Sequence, residues 1–164
     1  MAIVNVKSAQ KTTIDGGGVV NSKVSNAFVR AAVATLEVTS GNTAESVYRF
    51  FEIPSSARVH NLEFSNDALG ASTKVNVGLY QTARNGGAAA TVSAASFAAN
   101  LQTVSAAERV NLTHLVTNIA NIEKPVWELL GLDKDPNITY DLCATAKVNI
   151  GTSGTMSMKA EWVE

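Results

Sequence analysis

From residue 32 onward the chain is cut into short runs of alternating apolar and polar side chains, and each run stops at a cluster of Gly, Asn, Ser or Pro. A period of two sends successive side chains to opposite faces of an extended backbone, so such runs fold as strands with one buried face. Residues 74–80 are the clearest, with Val75, Val77 and Leu79 on one face and Asn76 and Gly78 on the other. In residues 32–38, Ala34, Leu36 and Val38 oppose Val33, and Ser40, Gly41 and Asn42 then signal a turn. In residues 44–53, the adjacent aromatics Phe50 and Phe51 imply that both faces are covered, and Pro54 ends the run because it cannot donate to a ladder.

Residues 58–65 place Leu62 and Phe64 in phase but Val59 out of phase, which predicts a bulge near His60 and Asn61. Residues 110–116, 137–146 and 155–163 complete the strands, the last lined by Met156, Met158, Ala160 and Trp162. Two segments have a different period. Ala94, Phe97, Ala98 and Leu101 follow the spacing of a short helix over residues 93–103. Pro125, the face of Val126, Leu129 and Leu130, and Gly131 read as the start, body and C-cap of another. Seven or eight strands at this spacing, with no repeat of 20–50 residues, predict an all-β fold. The expected architecture is an antiparallel jelly-roll-like β-sandwich over residues 32–164, with one or two short helices.

Residues 1–31 are unlike the rest and read as an extended N-terminal arm. Residues 1–30 carry Lys7, Lys11, Lys23 and Arg30 against Asp15 alone, a net +3, while the remainder has nine basic and thirteen acidic residues, a net −4, giving −1 for the chain. Gly16, Gly17 and Gly18 suggest a hinge, and the apolar residues are scattered without a sustained period. A segment of this kind orders on a partner and can wrap a large area. The residues expected to touch a partner or a neighbouring subunit are Val4, Val6, Lys7, Lys11, Ile14, Val19, Val20, Lys23, Val24, Phe28 and Arg30.

Charge and motifs narrow the function. A net charge near zero argues against nucleic-acid binding. No apolar run approaches the roughly 20 residues that cross a bilayer, so no membrane partner is expected. Residues 1–10 are too short in apolar content for a signal peptide, and the sequons at Asn111 and Asn137 read as chance. Cys143 stands alone and out of phase with Tyr140, Leu142 and Ala144, so it reads as a plain small side chain on the other face of its strand.

Asp133, Asp135 and Asn137 copy the start of a calcium loop. Ile138 and Ala144 occupy its obligatory glycine and glutamate positions, so a polar turn is expected and no metal. His60 and His114 read as structural, and Glu45 with Glu52 and Glu123 with Glu128 carry no mark of a catalytic couple. The three glycines lack the flanking strand, helix and Lys-Ser/Thr of a phosphate loop. The chain therefore reads as no enzyme and as needing no cofactor. Trp127 and Trp162 could form a sugar platform if both were exposed, but their phases place them in a core.

Residues 36–44, 47–51, 54–59 and 62–70 (LEVTSGNTA, VYRFF, PSSARV and LEFSNDALG) resemble small structural proteins of tailed bacteriophages. So do residues 127–132 (WELLGL), followed by Asp135, Pro136 and residues 140–142. The nearest class is the capsid decoration, or cement, proteins. The resemblance implies a β-sandwich on the exterior of an icosahedral virion, bound to the major capsid protein. It also implies a homo-oligomer, dimer or trimer, and an arm that staples neighbouring capsid subunits. The alternatives are another virion component, in the tail, neck or fibre base, and a carbohydrate-binding β-sandwich module.

Overall fold

A computed structural model of the chain describes residues 12, 13, 15, 16, 18, 28–82 and 91–164. Among them are eight strands: β1 (Val29–Val38), β2 (Val47–Pro54), β3 (Arg58–Asn66), β4 (Lys74–Gln81), β5 (Thr91–Gln102), β6 (Ala107–Asn111), β7 (Thr139–Ala146) and β8 (Gly154–Val163). A 3-10 turn (Ile119–Asn121) and a one-turn helix, α1 (Val126–Leu129), lie between β6 and β7. The first strand pairs with the last, β2 with β7, β3 with β6 and β4 with β5, all antiparallel. This is a hairpin ribbon folded back on itself and rolled. Further pairing of β3 with β8 and of β4 with β7 gives two four-stranded sheets, ordered β1-β8-β3-β6 and β2-β7-β4-β5. The expected jelly-roll sandwich is the fold observed.

The core is the sum of the inward phases. Leu62, Phe64, Met156, Met158 and Ala160 from the first sheet meet Ile53, Val75, Val77, Leu79 and Leu142 from the second, all at 0–1 % exposure. Phe50 stands edge-on to Phe64 with ring centroids 6.5 Å apart. The two adjacent aromatics fit because the β2–β7 register slips between Arg49 and Phe51, so Phe50 is a bulge residue and both rings pack against the core. The bulge expected near His60 is present, since the β3–β8 register shifts between Val59 and Asn61. That returns Val59 to the core and leaves His60 exposed.

Two expectations fail. Residues 93–103 are not a helix but the long strand β5. Its helical spacing comes from bulges: Val75 faces Leu101, Val77 faces Ala98 and Leu79 faces Ser93, so β5 spends eight steps where β4 spends four. Extra residues break the period of two and let Phe97 and Ala98, neighbours in sequence, both be buried. Gly78 is needed opposite this bulge, because a Cβ there would lie 2.1 Å from the Ser93 carbonyl oxygen. The strand expected over residues 110–116 is instead β6, ending at Asn111. Leu112 still donates its N–H to Leu62 O (2.7 Å), but the Thr113 hydroxyl then accepts the Leu62 N–H (3.0 Å), replacing a backbone carbonyl and releasing the chain from the sheet.

Candidate interaction surface

The pairing fixes what meets at each end of the sandwich. One end gathers the start of β1, the end of β8, the β2–β3 turn and the long β6–β7 connector carrying α1. This terminal end is tied together by short bonds. Val126 and Trp127 donate their N–H groups to Ala57 O (2.9 Å) and Ser55 O (3.0 Å), and Arg58 Nε donates to Glu123 O (2.8 Å). Val126 is fully buried and closes the core from this side. The helix stops as the sequence predicts, with Gly131 at φ +73° and Leu132 N–H returning to Trp127 O (3.1 Å).

The aspartate-rich turn is used internally. Asp135 accepts from the Ser55 hydroxyl and from Asn137 N–H, and Ser55 Oγ accepts from Ile138 N–H (3.2 Å). Asn137 sits at φ +54°, a left-handed conformation that asparagine tolerates in such turns. The neighbouring Tyr140 phenol is pushed up by burial and by the Asp135 charge. Among the described residues, no group of three His, Cys, Asp or Glu could hold a metal ion.

Large apolar side chains are exposed at this same end: Phe28 (93 %), Ile119 (73 %), Val29, Leu115, Val116 and Leu132. Of the exposed large apolar residues elsewhere, Val33 lies within β1 and Val104 at the opposite end. Residues 110–122 contain no Asp, Glu, Lys or Arg, and this uncharged stretch supplies Leu115, Val116 and Ile119. Beneath it lies a cleft of 320 Å³ with Leu79, Phe97, Leu129 and Leu130 among its apolar walls and Thr117, Asn118 and Asn121 on its polar side.

The outward face of the first sheet is of a different kind. Arg109 pairs with Glu63 (3.4 Å), Lys159 with Glu161 (2.7 Å), and Asn61 donates toward both glutamates. The Arg109 and Asn61 hydrogen bonds hold the Glu63 carboxyl below its ordinary value, and Lys159 does the same for Glu161. Lys159 is raised in return, chiefly by Glu161. Exposed pairs like these contribute little each.

Of the arm residues, Val4, Val6, Lys7, Lys11, Ile14, Val19, Val20, Lys23 and Val24 lie outside the described residues, as does Gly17 of the expected hinge. At the described positions, Gly16 N–H bonds to Thr12 O (3.1 Å) and Gly18 N–H to Thr13 O (2.9 Å), so this part of the leader holds a helical turn. Phe28 stands free at the root. Arg30 is already inside β1, opposite Trp162, with its guanidinium 3.3 Å from the Glu164 carboxylate. Val29 and Ala31 are likewise strand residues, so β1 begins three residues before the expected start of the body at residue 32. Among the described residues β1 pairs on one side only and is an open edge.

The other singled-out residues take structural places. Cys143 points outward from its sheet, as its phase predicts, yet is fully buried between Gly78 and Arg49, and burial pushes its thiol up to about 12. Trp162 is buried and Trp127 half-buried, so they form no exposed pair for a sugar. His60 and His114 are both exposed. Glu45 pairs with Lys147, and Glu52 accepts from the Thr139 hydroxyl (3.0 Å). Leu115 and Val116 fall within the strand expected over residues 110–116 and Ile119 lies beyond it, so alternation alone does not mark them as surface residues. The charge-free run of residues 110–122 was the available signal.

No protein-family model matches the chain, and no curated protein matches it. Solved structures do. A chain of the cyanophage Pam1 capsid asymmetric unit aligns with a TM-score of 0.55 at 13 % identity, over 84 % of this chain and 85 % of that one. A chain of the Ralstonia phage GP4 capsid aligns with a TM-score of 0.58 at 11 % identity, over 84 % of each chain. The fold is shared with chains of phage capsid structures.

Proposed function

We propose that this chain is a non-catalytic structural protein of a phage virion. It decorates the exterior of an icosahedral capsid and bridges neighbouring major capsid subunits through its leader. The observation that carries the reading is the pairing of this eight-stranded roll, shared with chains of two phage capsid structures, with a basic leader that joins it at an open edge strand. A cement protein requires a stable body and many weak contacts repeated by symmetry. Once the body docks, each further leader contact is intramolecular and gains from effective concentration. Val4, Val6, Lys7, Lys11, Ile14, Val19, Val20, Lys23, Val24, Phe28 and Arg30 are the proposed contact residues, with Arg30 sharing its charge with Glu164. The open β1 edge suits pairing with a second copy, in keeping with a dimer or trimer.

The test uses shells assembled from the major capsid protein encoded with this chain. The full-length protein should co-sediment with them in hundreds of copies per particle, and loss of residues 1–26 should weaken binding and lower shell stability. Unchanged binding and stability after truncation would remove the leader from the reading, and a dozen copies or fewer would move the protein to the tail or neck.

A further inference from the structure

The reading above leaves open which part of the body meets the shell. We infer that the terminal end of the sandwich is the docking face, and that the cleft beneath residues 116–121 receives one bulky apolar side chain from an uncharged segment of the shell protein. The inference rests on the decoration reading.

Three observations converge on it. Phe28 and Val29, at the root of the proposed leader, lie at this end. If the leader runs along the shell, its root at Phe28 must lie against the shell, and the surrounding end of the body with it. Among the described residues, most of the exposed large apolar side chains gather here, whereas Val104 alone represents them at the opposite end. Folded proteins seldom concentrate exposed apolar groups without a partner, and interface cores are depleted in charge, as residues 110–122 are.

The cleft supplies the anchor site. Its apolar walls, Leu79, Phe97, Leu129 and Leu130, suit an aliphatic or aromatic side chain. Thr117, Asn118 and Asn121 offer donors and acceptors to the backbone on either side of that residue. Among the described residues no charged group lines it, so they offer no counter-charge to a nucleic acid or an acidic peptide. The layout also bears on bridging. β1 and β6 are opposite edges of one sheet, three strand spacings or roughly 14 Å apart. The leader root and the connector are therefore at different corners of the same end, placed to hold different shell subunits.

The experiment measures binding of the full-length chain to shells of the co-encoded capsid protein, with Ile119→Asp and Val116→Asp at the terminal end and Val104→Asp at the opposite end. All three positions are exposed, and unchanged denaturation midpoints verify folding. The expected result is a loss of about tenfold or more for Ile119→Asp and Val116→Asp, with Val104→Asp within about twofold of wild type. Folded Ile119→Asp and Val116→Asp proteins that bind like wild type would overturn the inference and leave decoration standing. So would a loss confined to Val104→Asp. Light scattering covers the remaining occupant: if Ile119→Asp turns an oligomer into a monomer while shell binding is kept, a second copy fills the patch and the inference fails. Wild-type protein that does not bind shells at all would sink the decoration reading, and this one with it.

Discussion

The two ends of the sandwich both tie their loops together, but they differ in what those loops leave exposed. At the end away from the termini, loops from different hairpins bond to one another through the backbone. Gly41 N–H reaches Ile150 O and Ile150 N–H reaches Asn42 O (2.9 Å each), Leu69 N–H reaches Thr103 O (3.0 Å), and Gly151 N–H reaches Leu69 O (3.1 Å). Leu69 and Ile150 plug the core there. At the terminal end the core is closed by Val126, but Leu115, Val116 and Ile119 stand outside it. One end folds its large apolar loop residues, Leu69 and Ile150, into the core. The other holds apolar surface whose burial would stabilise a complex instead of the fold.

The largest expected break in this contrast is Leu69→Ala. It removes a fully buried side chain from the knitted end and should lower unfolding free energy by about 2–5 kcal/mol, read from urea denaturation. A loss under about 1 kcal/mol would mean that this end collapses around the gap and is less rigid than its bonds imply. Gly70→Ala should cost about 1–3 kcal/mol. Glycine adopts φ +105° there, and a Cβ would lie 2.9 Å from Gly151 Cα, so both backbone strain and contact oppose the change.

Ser55→Ala probes the terminal end at similar scale. It takes the hydroxyl from Asp135 and leaves Ile138 N–H without that acceptor, for about 1–3 kcal/mol. Because Ser55 orders the turn beside α1, this variant should also weaken shell binding, whereas Gly70→Ala should not. Equal binding by both would erase the distinction between the ends.

A smaller effect concerns pH and the outward face between the ends. Glu63 and Glu161 have folded values below the ordinary 4.5, so their contribution is complete above that value and is lost as pH falls through the lower folded values. Lys159 is raised above 10.5, so its contribution is complete below that value and is lost as pH rises past it. Between about pH 5 and 10 this cluster should leave stability flat. Replacing Glu63 and Glu161 by Gln should flatten the acid limb of the denaturation profile, and an unchanged limb would assign acid sensitivity to other carboxylates. The smallest expected signal is chemical. Cys143, buried and raised to about 12, should resist alkylation at pH 8 in the native protein and react once the protein is unfolded.

Much of the roll is legible in the sequence because β4, β7 and β8 alternate cleanly and their turns carry Gly, Asn and Pro. The α1 turn is legible for the same reason: Pro125 and Gly131 act through the local backbone. Phase is lost where a bulge adds residues. One extra residue at His60 leaves a recognisable phase jump, but the four extra steps in β5 imitate a helix, since a period of two with insertions and a period of 3.6 bury similar positions. The interaction surface is less legible. Leu115 and Ile119 look like core residues in one dimension, and only the departure of the chain at Thr113 puts them outside.

The roll also sets an order of events during synthesis. β8, the last of the described strands in chain order, is an inner strand of its sheet, between β1 and β3, and carries Met156, Met158, Ala160 and Trp162 into the core. Its contact with β1 spans nearly the full length of the described body, a pairing of the slow, non-local kind. That sheet therefore closes only after residues 154–163 have emerged from the ribosome. The body closes late in its own synthesis, and deleting residues 160–164 should be far more damaging to it than removing residues 1–26.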